Sequence, residues 1–315
     1  MTNDPQVPCD PQVPWTGEQW ARVNQVVQEE ASRARVAATF VPLIGPLPGS
    51  TDFVRRERIQ YPVRPGAPPP PNNQIGIDDR TVIQLATLQV RVPVRGAQMA
   101  DPEMTSVLTL FRRAANVLAR LEDAVVFRGL VPDPAFPPQT RFRPPAGLAG
   151  LPGIWEIMGG EITEGLWTTA APRQWIRIRA LPIRGRGQRL VRAVSRAIGL
   201  LESRGHFGPF AVVLGQGLFL VAQTPDQDSL VLPQDRIIPF LGGNSLLRSS
   251  TVSALNGFSG LVVALGGAPI ELVIATDVCV QFLQLTAEPV FLFRVFERMV
   301  LSIKEPDAII QLFMR

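Results

Sequence analysis

The sequence predicts an α+β protein, with three amphipathic helices in the first two thirds of the chain and a series of strands in the last third. Apolar residues recur at helical spacing over about 16–35, 102–127 and 187–203. From residue 205 onward, β-branched and apolar runs alternate with turn residues, which is typical of strands. Helices and strands in separate blocks indicate an α+β fold.

The first helix begins at a capping-box pattern, because Thr16 and Gln19 stand three residues apart at the start of an apolar repeat. The third helix carries Arg189, Arg192 and Arg196 along one face. These arginines fit a solvated or subunit-facing stripe better than a phosphate site.

Proline marks the segments between the helices. The 31 prolines concentrate in a tandem Asp-Pro-Gln-Val-Pro repeat over 4–14, in the Pro-rich stretch 62–74 and in 130–153. Strand patterns at 51–61 and 81–94 flank the second of these stretches. We therefore expect a long two-stranded arm that projects from the body.

The last third is predicted to hold strands at 211–214, 219–222, 261–264, 271–275, 278–287 and 290–303. No charged residue occurs from 249 to 270, but this stretch contains several glycines and a proline. It therefore predicts strands and turns and not a membrane-spanning helix.

Residues for catalysis and metal binding are scarce: the chain has one histidine (His206) and two cysteines (Cys9 and Cys279), and Lys304 is its one lysine. A structural zinc site usually takes four Cys or His ligands and a catalytic one about three protein ligands, so three such residues scattered along the chain make either improbable. A Ser-His-Asp triad would have to use His206, and no Gly-x-Ser-x-Gly motif is present. We therefore predict no cofactor, no metal, no catalytic residue and no enzymatic activity, with a hydrolase or protease as a weaker alternative.

The charge and cysteine patterns bear on partners and compartment. A formal net charge of +4 is far from the concentrated basic surface of a nucleic-acid-binding protein, so a nucleic-acid partner is not expected. Two widely separated cysteines and no signal-peptide pattern predict a reducing, cytoplasmic location with no membrane partner.

Four phrases in register resemble the shell proteins of encapsulin nanocompartments, the linocin-type family. They are Thr-Gly-Glu-Gln-Trp at 16–20, Leu-Glu-Asp-Ala-Val-Val-Phe-Arg-Gly at 121–129, Gly-His-Phe-Gly-Pro-Phe-Ala-Val-Val-Leu at 205–214, and Leu-Ser-Ile-Lys-Glu-Pro-Asp-Ala-Ile-Ile-Gln-Leu at 301–312. The resemblance spans residues 16–312. The chain differs from the family in the N-terminal repeat, the Pro68–Pro71 run, the 130–153 segment and the extended loop.

This resemblance implies the fold of tailed-phage major capsid proteins, of the Hong Kong ninety-seven type. The expected parts are a flexible N-terminal arm (1–15), a peripheral domain (16–49, 101–205 and 289–315), an extended loop (50–100) and an apical domain (206–288). Subunits of this kind assemble into an icosahedral homo-oligomer whose subunit count is a multiple of sixty.

The resemblance also implies a function, which is to enclose a cargo protein such as a peroxidase, a ferritin-like protein or another redox enzyme. The cargo is captured through a C-terminal targeting peptide. Residues at the matching docking positions are Val36, Phe40, Val41, Asp277 and Val278. Ala38 and Pro42 replace charged residues of some relatives, so an apolar peptide is expected. The docking residues also fit simple core packing beneath the first helix, and both interpretations stay open.

The resemblance further implies a fivefold pore rimmed by the apical domain, near residues 224–229 by order along the chain, where Asp226 and Asp228 would line it and favour cations. The two residues fit a solvated loop equally well.

The main alternative for the whole chain is a phage or prophage major capsid protein that packages DNA. Self-crosslinking through a lysine in the extended loop is excluded because that loop contains no lysine.

Overall fold

A computed structural model describes residues 13–60, 75–130, 154–169, 174–182, 184–226, 231–244, 246–253 and 258–315. The helices are α1 (Gly17–Ala34), α2 (Gly96–Met99), α3 (Thr105–Arg128), α4 (Arg186–Ser203), α5 (Gln216–Gln223), α6 (Pro233–Ile237) and α7 (Ser250–Ser253). The strands are β1 (Leu43–Ile44), β2 (Phe53–Gln60), β3 (Gly76–Gln84), β4 (Ala86–Arg95), β5 (Gly129–Leu130), β6 (Trp155–Gly159), β7 (Thr163–Glu164), β8 (Trp175–Ile178), β9 (Phe210–Leu214), β10 (Leu246–Arg248), β11 (Ser259–Ala264), β12 (Ile270–Leu285), β13 (Val290–Ile303) and β14 (Ile309–Met314).

Two five-stranded sheets organise these elements. The strand order is β1-β12-β13-β4-β6 in the first sheet and β10-β9-β11-β14-β8 in the second. Helices α1 and α3 pack on each other and on the first sheet, whereas α4 packs on the second. The first sheet combines strands that are far apart in the sequence. In it β13 is hydrogen-bonded to β12 on one side and to β4 on the other.

Aromatic side chains fill the space between α1, α3 and the first sheet. Trp15 stacks on Phe293 with 4.8 Å between ring centroids, and Trp20 meets Trp15 edge-on at 5.2 Å. The ring centroid of Phe111 in α3 lies 5.5 Å from that of Phe293. All four rings are buried, and burial of each such ring contributes about 1.5–3 kcal/mol. This cluster fixes α1 against β13 and so positions the end of α1 beside the sheet.

Strands β2 and β3 form a separate antiparallel ribbon, here called the arm. Val54 and Ile83 are cross-strand partners that pack with Val273 and Val300 of the first sheet. Side chains alternate between the faces of a strand, so the neighbouring Phe53 and Val82 lie on the other face of the ribbon. These two side chains are 53% and 51% exposed. The arm is therefore attached through one apolar face and open on the other.

The helix predictions are confirmed. Helices α1, α3 and α4 lie within a few residues of the expected bounds. The capping box forms, since the Gln19 N–H donates to Thr16 Oγ1 at 3.2 Å and the Thr16 N–H donates to Gln19 Oε1 at 2.9 Å. Among the described residues, no helix is both long enough and apolar enough to cross a membrane.

Three strand predictions are wrong in extent or type. Residues 219–222 lie in α5, where the buried Leu218 and Ala222 have the four-residue spacing of a helix face. The two strands predicted over 271–287 are the single strand β12, whose register shifts near Thr276 mark bulges that let a strand bend without ending. Only the first part of the predicted strand 81–94 belongs to the arm, because β4 lies in the first sheet between β13 and β6.

Candidate functional site

The candidate site lies where the chain leaves α1, in residues 35–44, here called the exit segment. Arg35 ends the helix with extended backbone angles (φ −67°, ψ 134°) while its N–H still donates to the Ala31 carbonyl oxygen. A short turn at Ala37–Thr39 follows, and β1 then pairs in parallel with β12 at the edge of the first sheet. The exit segment therefore joins the helix layer to the sheet layer.

The structure exposes the five expected docking residues unequally. Val36 is half-buried, and the side chain of Asp277 is 61% exposed. Phe40, Val41 and Val278 are buried members of the main core. In the subunit alone, Val36 and Asp277 offer surface to a partner, while the other three pack beneath them.

Sequence reasoning missed two exposed apolar residues of the exit segment. Leu43 and Ile44 of β1 are 52% and 38% exposed, and they pair with Leu272 and Val273 of β12. The signal that could have found them is the pair of prolines on either side, because proline near a short strand indicates a sheet edge. Among the described strands β1 is indeed at an edge, so apolar side chains lie beside it at the surface.

Four ionisable side chains, here called the Arg35 cluster, anchor the exit segment. Arg35 Nε lies 2.7 Å from Glu122 Oε2, and Arg35 Nη2 lies 3.0 Å from Asp277 Oδ1 and 3.4 Å from Glu297 Oε1. The Arg35 side chain is 9% exposed, and the side chains of Glu122 and Glu297 are fully buried. The cluster joins the exit segment to α3, β12 and β13.

Asp123, the neighbour of Glu122, holds the backbone of the same segment. Its Oδ1 accepts the Ala37 N–H at 2.8 Å and the Val36 N–H at 3.1 Å. This is the role of an N-cap, here supplied by a residue of another helix, for the turn that begins at Ala37. Asp123 thus satisfies two backbone donors in a place that is largely closed to water.

Burial changes the protonation of these carboxyl groups. Desolvation raises the pKa of Glu297 to about 7 despite the attraction of Arg35, and it raises the pKa of Asp123 to about 7 despite the two backbone hydrogen bonds. Desolvation and repulsion by Glu297 raise the pKa of Glu122 well above its ordinary value. The site changes charge near neutral pH.

The two expected pore residues have different outcomes. Asp226 is half-buried, and its Oδ2 accepts the Gln188 N–H at 2.8 Å in the first turn of α4. A carboxylate in that place stabilises the helix, because it complements the unpaired N–H groups and the helix dipole. Asp228 lies outside the described residues. Lining of a pore by this pair stays a prediction.

The remaining reactive side chains have structural surroundings. His206 is buried, with Nδ1 3.9 Å from Glu305 Oε2. Burial raises the pKa of the Cys279 thiol to about 12, whereas Cys9 lies outside the described residues. Lys304 Nζ lies 2.8 Å from Glu271 and 3.2 Å from Glu57, so it ties the arm to β12. Within the described part of the chain, no group of three His, Cys, Asp or Glu side chains is arranged to hold a metal ion.

Comparison with known proteins adds the following similarities. Residues 164–300 match the family described as "Encapsulating protein for peroxidase". Over 310 residues the chain is 26% identical to the type 1 encapsulin shell protein EncA of Myxococcus xanthus (strain DK1622), which covers 94% of this chain and 92% of that protein.

Solved structures have a similar fold. A virus-like particle from Pyrococcus furiosus has a TM-score of 0.57 at 12% identity, covering 94% of this chain and 99% of its own. The capsid of Myoviridae phage XM1 has a TM-score of 0.57 at 12% identity, covering 87% of this chain and 90% of its own. At these identities the likeness shows the fold alone, and the predicted α+β capsid fold is confirmed.

Proposed function

We propose that the chain is a shell protein of the encapsulin type, which its similarity to the family model and to EncA supports, and that it assembles with copies of itself into a closed icosahedral nanocompartment. Heterologous contacts that close on themselves produce a finite shell, which here has a multiple of sixty subunits. The role of the chain is structural and not enzymatic, and the compartment lies in the cytoplasm. We propose that the subunit is divided into the peripheral domain, extended loop and apical domain that the sequence predicts.

The open face of the arm is the observation that supports assembly most strongly. Phe53, Val82 and Ile77 are each more than half exposed on a two-stranded ribbon. Such a ribbon is marginally stable by itself, and its own subunit covers only the side that carries Val54 and Ile83. Burial of the open face against neighbouring copies would contribute about 1.5–3 kcal/mol for each large apolar side chain.

We propose that the shell encloses a cargo enzyme whose C-terminal targeting peptide docks on the exit segment. The half-buried side chain of Val36 and the exposed side chains of Leu43 and Ile44 suit a peptide with apolar anchors. Asp277 provides a negative charge beside them, while Phe40, Val41 and Val278 support the surface from the core. A peroxidase, a ferritin-like protein or another redox enzyme is the expected class of cargo.

We also propose that the loop after α5 lines a cation-favouring pore on the fivefold axis. Asp226 and Asp228 are its charged residues, although Asp226 also serves α4. The test is the rate at which terbium ions reach a luminescent chelator trapped in the shell. Asp228→Asn should slow entry severalfold and leave the stability of α4 unchanged. Unchanged entry in the double variant Asp226→Asn with Asp228→Asn would refute the pore role.

The alternative is a DNA-packaging capsid, which the similarity to a phage capsid fold also fits. Electron microscopy of the purified protein tests assembly itself: uniform hollow spheres support the proposal, and dispersed monomers contradict it. Nuclease-resistant DNA inside the particles would favour the alternative. Particles whose interior holds protein and no DNA favour the nanocompartment.

A further inference from the structure

Shell assembly alone does not account for the Arg35 cluster. Three carboxyl groups from three different elements surround one guanidinium directly beneath the exit segment. A fourth, Asp123, holds the backbone of Val36 and Ala37. Replacement of a buried ionic group by apolar residues is often neutral or stabilising, so such clusters are weak evidence for a purely stabilising role.

The charge of this site depends on bound protons. With Glu122, Glu297 and Asp123 protonated, the remaining charges are those of Arg35 and Asp277, which balance each other. When Glu297 and Asp123 lose their protons, two further negative charges face the same guanidinium inside the core. Two further groups lie close by on β12 and β13. The Cys279 thiol stays neutral because burial raises its pKa to about 12, and the guanidinium of Arg294 beside it keeps its positive charge.

Linkage gives the direction of the effect. While the exit segment is closed on α3, burial raises the pKa of Glu297 and Asp123 to about 7. In a conformation in which the segment separates from α3, water reaches these groups and their pKa values return toward the ordinary range near 4. The closed conformation thus binds protons more tightly, so acid favours closure and alkali favours release.

We propose that the Arg35 cluster is a proton-dependent switch that controls the docking surface of the exit segment. Protons on the buried carboxyl groups keep Val36 and β1 in place for a cargo peptide, and loss of the protons loosens them. This inference rests on the proposed function, since the regulated surface is the proposed docking site. It adds a control of cargo capture to that function.

Hydrogen exchange of purified shells, read by mass spectrometry on peptides that cover residues 35–42, tests the switch. After correction for intrinsic exchange rates, protection of the Val36 and Ala37 amides should be about tenfold lower at about pH 8.5 than at about pH 6. In Glu297→Gln, which keeps the shape but cannot ionise, the difference should shrink to about threefold because Asp123 still titrates. Asp123→Asn, which removes the other titrating carboxyl group and keeps an acceptor oxygen, provides the same comparison if Glu297→Gln does not fold.

Glu271→Gln is the matched control, because Glu271 is a buried carboxyl of β12 that pairs with Lys304 outside the cluster. It should keep the tenfold difference. Equal protection at the two pH values in the unaltered protein would overturn the proposal, as would an equal effect of Glu271→Gln and Glu297→Gln. Microscopy of the same samples separates the failures: shells with pH-independent exchange refute the switch alone, whereas absence of shells refutes the proposed function.

Discussion

Arg35 Nε lies 2.7 Å from Glu122 Oε2, a contact between the residue that ends α1 and the last turns of α3. The two side chains are 9% and 0% exposed, so water is largely excluded from this contact. Removal of the guanidinium would leave buried carboxyl oxygens without a polar partner, which costs more than the loss of a surface pair. The junction between α1 and the first sheet therefore depends on this contact.

The first prediction concerns the cation of this pair. Arg35→Met should lower the free energy of unfolding by about 1–3 kcal/mol, because the buried carboxyl groups of Glu122 and Glu297 then lose their polar partner. Denaturant unfolding followed by circular dichroism measures the change. Arg33→Met is the control, since the Arg33 side chain is 81% exposed and should contribute within about 0.5 kcal/mol. Equal effects of the two substitutions would contradict the interpretation.

The second prediction concerns pH and stability. The folded chain keeps protons on Glu297 and Asp123 up to about pH 7, whereas the unfolded chain loses them near pH 4. The contribution of these groups to stability is therefore present below about pH 4 and is lost as pH rises to about 7. The denaturation midpoint of Glu297→Gln should fall less than that of the unaltered protein between about pH 5 and about pH 8. A larger fall in the variant would reverse the sign and refute this assignment.

The third prediction concerns two glycines of α4. A Cβ at Gly187 would lie 2.4 Å from Pro233 Cγ and 3.0 Å from Asp226 Oδ2, whereas a Cβ at Gly199 meets nothing within 4 Å. Gly187→Ala should therefore destabilise the subunit by about 1–3 kcal/mol through overpacking. Gly199→Ala should stabilise it by about 0.5–1 kcal/mol, because alanine favours a helix interior. Thermal unfolding of the two variants distinguishes them, and stabilisation by both would show that the start of α4 is not closely packed.

The fourth prediction concerns the open face of the arm. Val82→Asp places a charge on this face and should abolish shell formation while the circular dichroism spectrum stays that of a folded subunit. Thr81→Asp places the same charge on the other side of the same strand, at a residue that is already exposed, and should still assemble. Size-exclusion chromatography separates shells from subunits. Normal shells from Val82→Asp would show that neighbours do not cover this face.

Local patterns predicted much of this structure. The spacing of Trp20, Val23 and Val27 gave the buried face of α1, and the Thr16 and Gln19 pair gave its start. The short apolar run that contains Phe219 led to a wrong strand prediction, because apolar stretches of that length occur both in buried strands and in helices. The start and the buried face of a helix can thus be predicted from residues that are close in the sequence, whereas the choice between helix and strand for a short apolar run cannot.

The Arg35 cluster lies beyond that kind of reasoning. Its members belong to α3, β12, β13 and the residue after α1, which come together only when the sheet and helices pack. Glu122 and Asp123 belong to a phrase that resembles the encapsulin family, but nothing in the phrase indicates that the Asp123 carboxylate accepts the Val36 N–H. Likewise the exposure of Leu43 and Ile44 depends on which strand ends the first sheet.

Charge-detection mass spectrometry of the purified protein is the decisive measurement of assembly, because it weighs single intact particles. A closed shell should give a narrow mass distribution at a multiple of sixty subunits, with any excess mass supplied by enclosed protein. A population of monomers or small open oligomers would contradict it.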